Sequence, residues 1–118
     1  METKYFNIEA LTSLIGNDKT MLTGMLENIV SGALKKFEEF NQNYDKQDWN
    51  LVRDNAHFLK SNFRYLGNPR MSTILKTIEM NSHDAEKRTE VAELMKEFND
   101  NFPLVIKEVK AYLNFLKN

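Results

Sequence analysis

The side chains best suited to chemistry lie in the segment from Asp48 to Gly67, which its apolar spacing predicts as one helix. On a helical wheel, five of its apolar residues form a narrow stripe suited to a core: Val52, Ala56, Leu59, Phe63 and Leu66. His57 lies about 140° from Val52, outside that stripe, so we expect its imidazole to face solvent. The same outer face carries Arg53, Lys60, Ser61 and Arg64.

An exposed imidazole among cations is suited to accepting a phosphoryl group. Imidazole has an ordinary pKa of about 6.5, so its neutral, nucleophilic form is available near neutral pH. The neighbouring cations discourage ring protonation and can stabilise phosphoryl oxygens. No metal-ligand cluster or water-activating pair accompanies His57 in the sequence. The site therefore suits a phosphoryl carrier that is poorly equipped to hydrolyse its own phosphoryl group, and we expect no active site for making or breaking ATP.

Length and composition limit the class of protein to which this site can belong. The chain has 118 residues, which is the size of one domain spanning 1–118. A net charge of -1 argues against nucleic-acid binding, and the absence of cysteine excludes disulfides, thiolate zinc sites and cysteine nucleophiles. The first ten residues, METKYFNIEA, lack the apolar run of a signal peptide, and no stretch is long and apolar enough to suggest a membrane span. We expect a cytoplasmic protein.

The sequence predicts two helices in the first part of the chain. Apolar spacing predicts a short helix from about Ile8 to Ile15, which Gly16 ends. Asn17 or Asp18 then caps a long helix that finishes near Tyr44.

Three further helices follow. Asp48 is the expected cap of the helix that carries His57, and Gly67 its stop. Pro69 suits the first turn of the next helix, and a polar link over 83–90 leads to a last helix that Pro103 should kink or divide. The predicted fold is all-α: an up-down-up-down four-helix bundle with a short extra N-terminal helix and a kinked C-terminal helix.

The stretch AHFLKSNFRYLG, residues 56–67, resembles the histidine-containing phosphotransfer (HPt) family of bacterial phosphorelays. Its members have Leu-Lys shortly after the phosphorylated histidine and Leu-Gly further on. The resemblance implies that His57 is the phospho-acceptor and Lys60 the cation beside it. It also implies that Glu79, in ILKTIE, hydrogen-bonds the other ring nitrogen and leaves the outer one free to attack. Ser61 and Arg64 depart from the family pattern, which often has glycine and a small residue there.

The resemblance further implies the partners, which are response-regulator receiver domains and possibly a hybrid sensor histidine kinase. It also implies that the receiver supplies an aspartate and its Mg²⁺, so that this chain needs no cofactor or metal of its own and acts as a stoichiometric phosphoryl carrier rather than a true enzyme, with no kinase site. A monomer is the simpler expectation. The residues expected at the docking face are Arg53, Phe58, Ser61, Arg64, Tyr65, Gly67 and Met71.

The sequence also allows other interpretations of these residues and of the function. His57 is also consistent with an ordinary surface histidine on a solvated, charged helix face. Glu79 can instead pair with Lys76 or with His83 on its own helix. The alternative function is a non-catalytic adaptor that binds a receiver or another partner without being phosphorylated. A cofactor bundle is disfavoured because no inward Glu-x-x-His pairs occur.

Overall fold

The computed structural model describes residues 2–118, and all regular structure within them is helical. Five α-helices and one short 3-10 turn follow each other along the chain: α1 Glu9–Ile15, α2 Lys19–Asp45, α3 Trp49–Tyr65, α4 Pro69–Asn81, the 3-10 turn Ala85–Lys87 and α5 Arg88–Lys117. Within this range no helix is both long and apolar enough to cross a membrane. The all-α prediction is confirmed.

Side-chain caps fix where three of the helices begin. The carboxylate of Asp18 accepts the Met21 N–H at the start of α2, and that of Asp48 accepts the Leu51 N–H at the start of α3. Both satisfy amides that the first helical turn leaves free. Of the two caps considered for α2, the structure has Asp18. At the start of α4, the side-chain oxygen of Asn68 accepts the Met71 N–H, and Pro69 occupies the first turn, as predicted.

The four long helices pack as a closed bundle around an aromatic centre. Consecutive helices contact each other from α2 to α5, and α5 also packs on α2. The rings of Phe37 and Phe102 stack with centroids 3.9 Å apart, while Phe98 meets Phe40 and Phe63 edge-on. The predicted apolar stripe of α3 is entirely buried. This packing turns the opposite face of α3 outward.

The polar stretch before α5 is more ordered than a simple link. Arg88 begins α5, and its guanidinium donates to the backbone carbonyls of Ser82 and Asp84. It also lies 3.8 Å above the centre of the Trp49 ring, a favourable cation–π distance. Of the two outcomes expected at Pro103, a kink or a division, the division does not occur, because α5 continues through that residue.

The segment before α1 is tied to the end of the bundle by one carboxylate. Glu108 of α5 accepts hydrogen bonds from the backbone N–H groups of Lys4, Tyr5 and Phe6, at 2.9, 2.7 and 2.9 Å. The ring of Phe6 is buried beneath them. These bonds give three main-chain donors a charged acceptor, which is a strong arrangement.

The same segment rests on the turn between α3 and α4. The Asn7 N–H donates to the Leu66 carbonyl at 2.9 Å. Gly67 follows in a left-handed conformation, with φ +64°, and a Cβ there would lie 2.6 Å from the Asn7 carbonyl oxygen. Only glycine allows this close approach. The N-terminal segment is thus held against the end of the helix that carries His57.

Candidate functional site

His57 stands near the middle of α3 with its ring in solvent. Its side chain is 65% exposed, whereas its neighbours Ala56 and Leu59 are fully buried. The predicted orientation of the imidazole is therefore confirmed. An imidazole exposed near the middle of a rigid helix is accessible to a second protein.

Glu79 of α4 joins His57 to Lys60. Its Oε2 lies 2.7 Å from the His57 Nδ1, and its Oε1 accepts a hydrogen bond from the Lys60 ammonium at 2.8 Å. The side-by-side packing of α3 and α4 brings the three side chains together. The alternative pairings of Glu79 with Lys76 or His83 do not occur. His83 contacts Asn50 instead, through its Nε2 at 2.6 Å.

The contact with Glu79 selects one tautomer of the His57 ring. An ionised carboxylate can only accept, so the proton of a neutral imidazole belongs on Nδ1, from which it donates to Glu79. The Nε2 lone pair then points away from Glu79. A ring held in this form presents its nucleophilic nitrogen to an incoming electrophile.

The charge of Glu79 is maintained by its two partners. Burial by itself raises the pKa of the Glu79 carboxyl, but hydrogen bonds from Lys60 and His57 outweigh that effect, and the net pKa lies below its usual value. Glu79 is therefore ionised at neutral pH and remains an acceptor for the Nδ1 proton.

The three predicted cations differ in their surroundings. The Lys60 side chain is only 17% exposed, and its charge is engaged by Glu79 rather than free in solvent. Arg53 lies 3.5 Å from the neighbouring Asp54. Arg64 is exposed and forms no ion pair with any residue from 2 to 118. The outer face of α3 is thus less positive around His57 than the sequence suggests.

Two grooves flank the ridge of α3. The first, which we call the α2 groove, lies between α2 and α3, and contains Phe58, Ser61 and Tyr65 beside His57. Phe58 and Tyr65 are 43% and 39% exposed. Lys36 of α2, which sequence reasoning missed, places its ammonium 5.3 Å from the centre of the Phe58 ring.

The second, which we call the α1 groove, lies on the other flank, between α1, the end of α3, and α4. Lys60 and Arg64 line it from α3, and Lys76 lines it from α4. The described residues of the two grooves do not overlap. Of the predicted docking residues, Arg53, Phe58, Ser61 and Tyr65 therefore line the α2 groove, and Arg64 and Gly67 line the α1 groove.

Two of the predicted docking residues contribute to the packing of the fold. Met71 is only 2% exposed, so its prediction as a surface contact is wrong: it shares the inward stripe of α4 with Ile74 and Ile78. Gly67 lines the α1 groove but is half-buried under Asn7, at the turn that ends α3.

The site lies within a match to a known protein family. Residues 24–112 match the family model of the Hpt domain, a range that contains His57, Lys60 and Glu79. No curated protein and no solved structure matches the chain significantly. Hpt domains take part in histidine phosphotransfer and interact with receiver domains in phosphorelays. Because the match covers more than half of the chain, this protein belongs to the Hpt domain family, and histidine phosphotransfer is its function at family level.

Proposed function

We propose that this chain is a phosphorelay intermediate that accepts a phosphoryl group on Nε2 of His57 from a receiver-domain aspartate and passes it to a second receiver. The observation that carries the proposal is the exposed imidazole whose Nδ1 lies 2.7 Å from the Glu79 carboxylate. That contact supports a ring with a free nucleophilic nitrogen at its outer edge. Histidine phosphotransfer by Hpt domains supports the reaction class.

The proposed step is a displacement at phosphorus. The Nε2 lone pair of His57 forms the N–P bond while the bond between phosphorus and the receiver's aspartyl oxygen breaks. The electron pair of that bond returns to the aspartate, which leaves as a carboxylate. The imidazole keeps its Nδ1 proton and becomes a phosphorylated imidazolium. In the second half-reaction, an aspartate of another receiver attacks the same phosphorus and releases the neutral ring.

Glu79 and Lys60 support this step without touching the phosphorus. Positive charge develops on the ring as the N–P bond forms, and the Glu79 carboxylate against Nδ1–H stabilises it. Lys60 keeps that carboxylate ionised and in place through its own bond at 2.8 Å. The Mg²⁺ that helps to neutralise the phosphoryl oxygens belongs to the receiver.

The docking face in this proposal is the ridge of α3 together with its flanks. Phe58 and Tyr65 offer aromatic area on one side, and the guanidinium of Arg64 offers charge on the other. Apolar contacts ringed by polar ones are typical of transient interfaces. A cytoplasmic location, a monomeric state and a single domain over 1–118 are part of the same proposal.

Phosphoryl transfer from phosphorylated receivers tests the proposal. Purified protein is incubated with a panel of phosphorylated receiver domains, and the label is assayed for acid lability. We expect an acid-labile label that disappears in His57→Gln and persists in His83→Gln, the matched control at the second histidine. Receiver binding without any label would instead favour the adaptor, and a label that survives His57→Gln would place the acceptor elsewhere.

A further inference from the structure

The α1 groove is built partly from residues outside the family match. Its outer wall comes from Asn7, Ala10 and Ser13, which precede the matched range 24–112. The opposite wall comes from Thr73 and Lys76 of α4. The groove is therefore a feature of this chain that the matched segment alone does not form.

The available charge in this groove comes from two cations. Arg64 and Lys76 are both exposed, and neither forms an ion pair with another described residue. Lys60, at the inner side, is already bound to Glu79. Glu9 of α1 is the one acidic side chain among the described residues that line the groove. An anionic group placed between Arg64 and Lys76 would gain two uncommitted partners.

The wall formed by α1 is fixed before any partner arrives. Glu108 holds the preceding backbone through three N–H groups, and Asn7 is bonded to Leu66 at the turn. Gly67 allows the two segments to meet at a distance that any Cβ would prevent. A preformed groove costs a ligand less ordering free energy than one that must assemble on binding.

We propose that the α1 groove is a second contact site for the receiver that docks on His57, and that it selects receivers with acidic side chains at that edge of their docking face. This inference rests on the proposed function. Lys60 belongs to the groove and shares Glu79 with His57, so a domain centred over the imidazole reaches Arg64 without leaving the same surface. Nucleic acid fits the groove poorly, because the chain's net charge is -1 and a polyanion needs more free cations.

Binding of a short oligoglutamate peptide to the full chain tests the proposal without a receiver. In ¹⁵N NMR spectra we expect the peptide to shift amides around Ser13, Arg64 and Lys76, and salt to reverse the shifts. The double variant Arg64→Glu/Lys76→Glu should bind about tenfold more weakly. Glu9→Gln should bind more tightly, because it removes the acidic side chain that lines the groove.

The matched control applies the same charge change to Lys107 and Lys110, two exposed lysines of α5 that do not line the groove. The double variant Lys107→Glu/Lys110→Glu should keep wild-type affinity in the α1 groove. Equal weakening in both double variants would overturn the proposal, since it would indicate a non-specific charge effect. Shifts of the same amides by inorganic phosphate at matched ionic strength would also overturn it in favour of a small-anion site.

The transfer assay separates this proposal from the one on which it rests. A label on His57 with no peptide binding would reject the groove alone. Peptide binding to a chain that no receiver labels would reject the proposed phosphotransfer and leave the groove as an acidic-segment site.

Discussion

The Nδ1 of His57 lies 2.7 Å from Oε2 of Glu79, a residue on the neighbouring helix α4. The other oxygen of the same carboxylate holds the ammonium of Lys60. One carboxylate thus orients the ring and is itself kept charged by a cation. The relationship makes Glu79 the residue through which the reactivity of His57 is most directly testable.

Removal of the Glu79 acceptor should slow phosphorylation of His57. A hydrogen bond to a charged group contributes roughly 1.5–3 kcal/mol, so at this partly exposed site Glu79→Leu should lower the rate about tenfold. Glu79→Gln keeps an oxygen that can accept a hydrogen bond from Nδ1–H, so it should lower the phosphorylation rate less than Glu79→Leu does. Rates with potassium phosphoramidate, a small donor that needs no partner, measure the reactivity of the ring directly.

The matched control for this experiment is Glu97→Gln. Glu97 accepts two hydrogen bonds of 2.7 Å from Arg70 and thereby links α4 to α5, away from His57. Its replacement removes a paired carboxylate without touching the imidazole. Equal slowing in Glu97→Gln and Glu79→Leu would show that the effect is general destabilisation.

Acid should remove the stabilising contribution of Glu79. Its pKa in the folded chain lies below the ordinary 4.5, because the bonds from Lys60 and His57 outweigh burial. The contribution is therefore fully present above about pH 4.5 and is lost as the pH falls through the lower folded value. The difference in unfolding free energy between wild type and Glu79→Gln should shrink below that pH, as measured by urea unfolding across a pH series.

Glu93→Gln provides the reference for this titration. Glu93 is exposed on α5 and has no ion pair with another described residue. Its replacement should leave the unfolding free energy nearly unchanged throughout the series. A difference in unfolding free energy between wild type and Glu79→Gln that stays constant or widens in acid would contradict the pairing of Glu79 with Lys60 and His57.

A side chain at Gly67 should destabilise the fold. The left-handed conformation costs a residue with a Cβ about 1–2 kcal/mol, and the contact with the Asn7 carbonyl oxygen adds to it. We therefore expect Gly67→Ala to lower the unfolding free energy by more than about 2 kcal/mol. Chemical denaturation measures the change.

Gly24→Ala should act in the opposite direction. Gly24 lies within α2, and a Cβ there meets nothing within 4 Å. Alanine is the better helix former by about 0.5–1 kcal/mol, so this variant should be more stable than wild type. Similar effects of the two substitutions would argue against the close approach of Asn7 to Gly67.

Loss of the Glu108 carboxylate should loosen the N-terminal segment. Glu108→Ala leaves three backbone N–H groups without their acceptor, at a cost of about 1–3 kcal/mol. Hydrogen exchange of the Tyr5 and Phe6 amides should accelerate, while the amides of α3 keep their protection. Lys107→Ala, at the exposed neighbouring position, should leave all of these rates unchanged.

The site could be predicted from sequence where it depends on helical periodicity. His57 lies far from the apolar stripe of α3 on the helical wheel, and that separation predicts its exposure. Resemblance to a family, rather than geometry, supplied Glu79 as its partner. The pairing of Lys60 with the same carboxylate was not foreseen, because a helical wheel does not show which side chains of an adjacent helix lie within reach.

The errors and omissions arise where contacts cross between elements. Met71 was expected as an apolar contact of the docking face around His57, but it lies in the core with the other buried residues of α4. The attachment of residues 4–6 to Glu108 spans more than a hundred positions of sequence and joins a side chain to main-chain donors. Such bonds leave no periodic signal.

The position of the imidazole on the crest of a single helix also limits how a relay through it can proceed. A receiver that encloses the ring covers both flanks of α3, so no second receiver has room beside it. On the proposed function, donor and recipient must take turns, and the kinetics should be ping-pong, with no ternary complex. An excess of unphosphorylated donor would then compete with the recipient for the surface around His57 and slow transfer to the recipient.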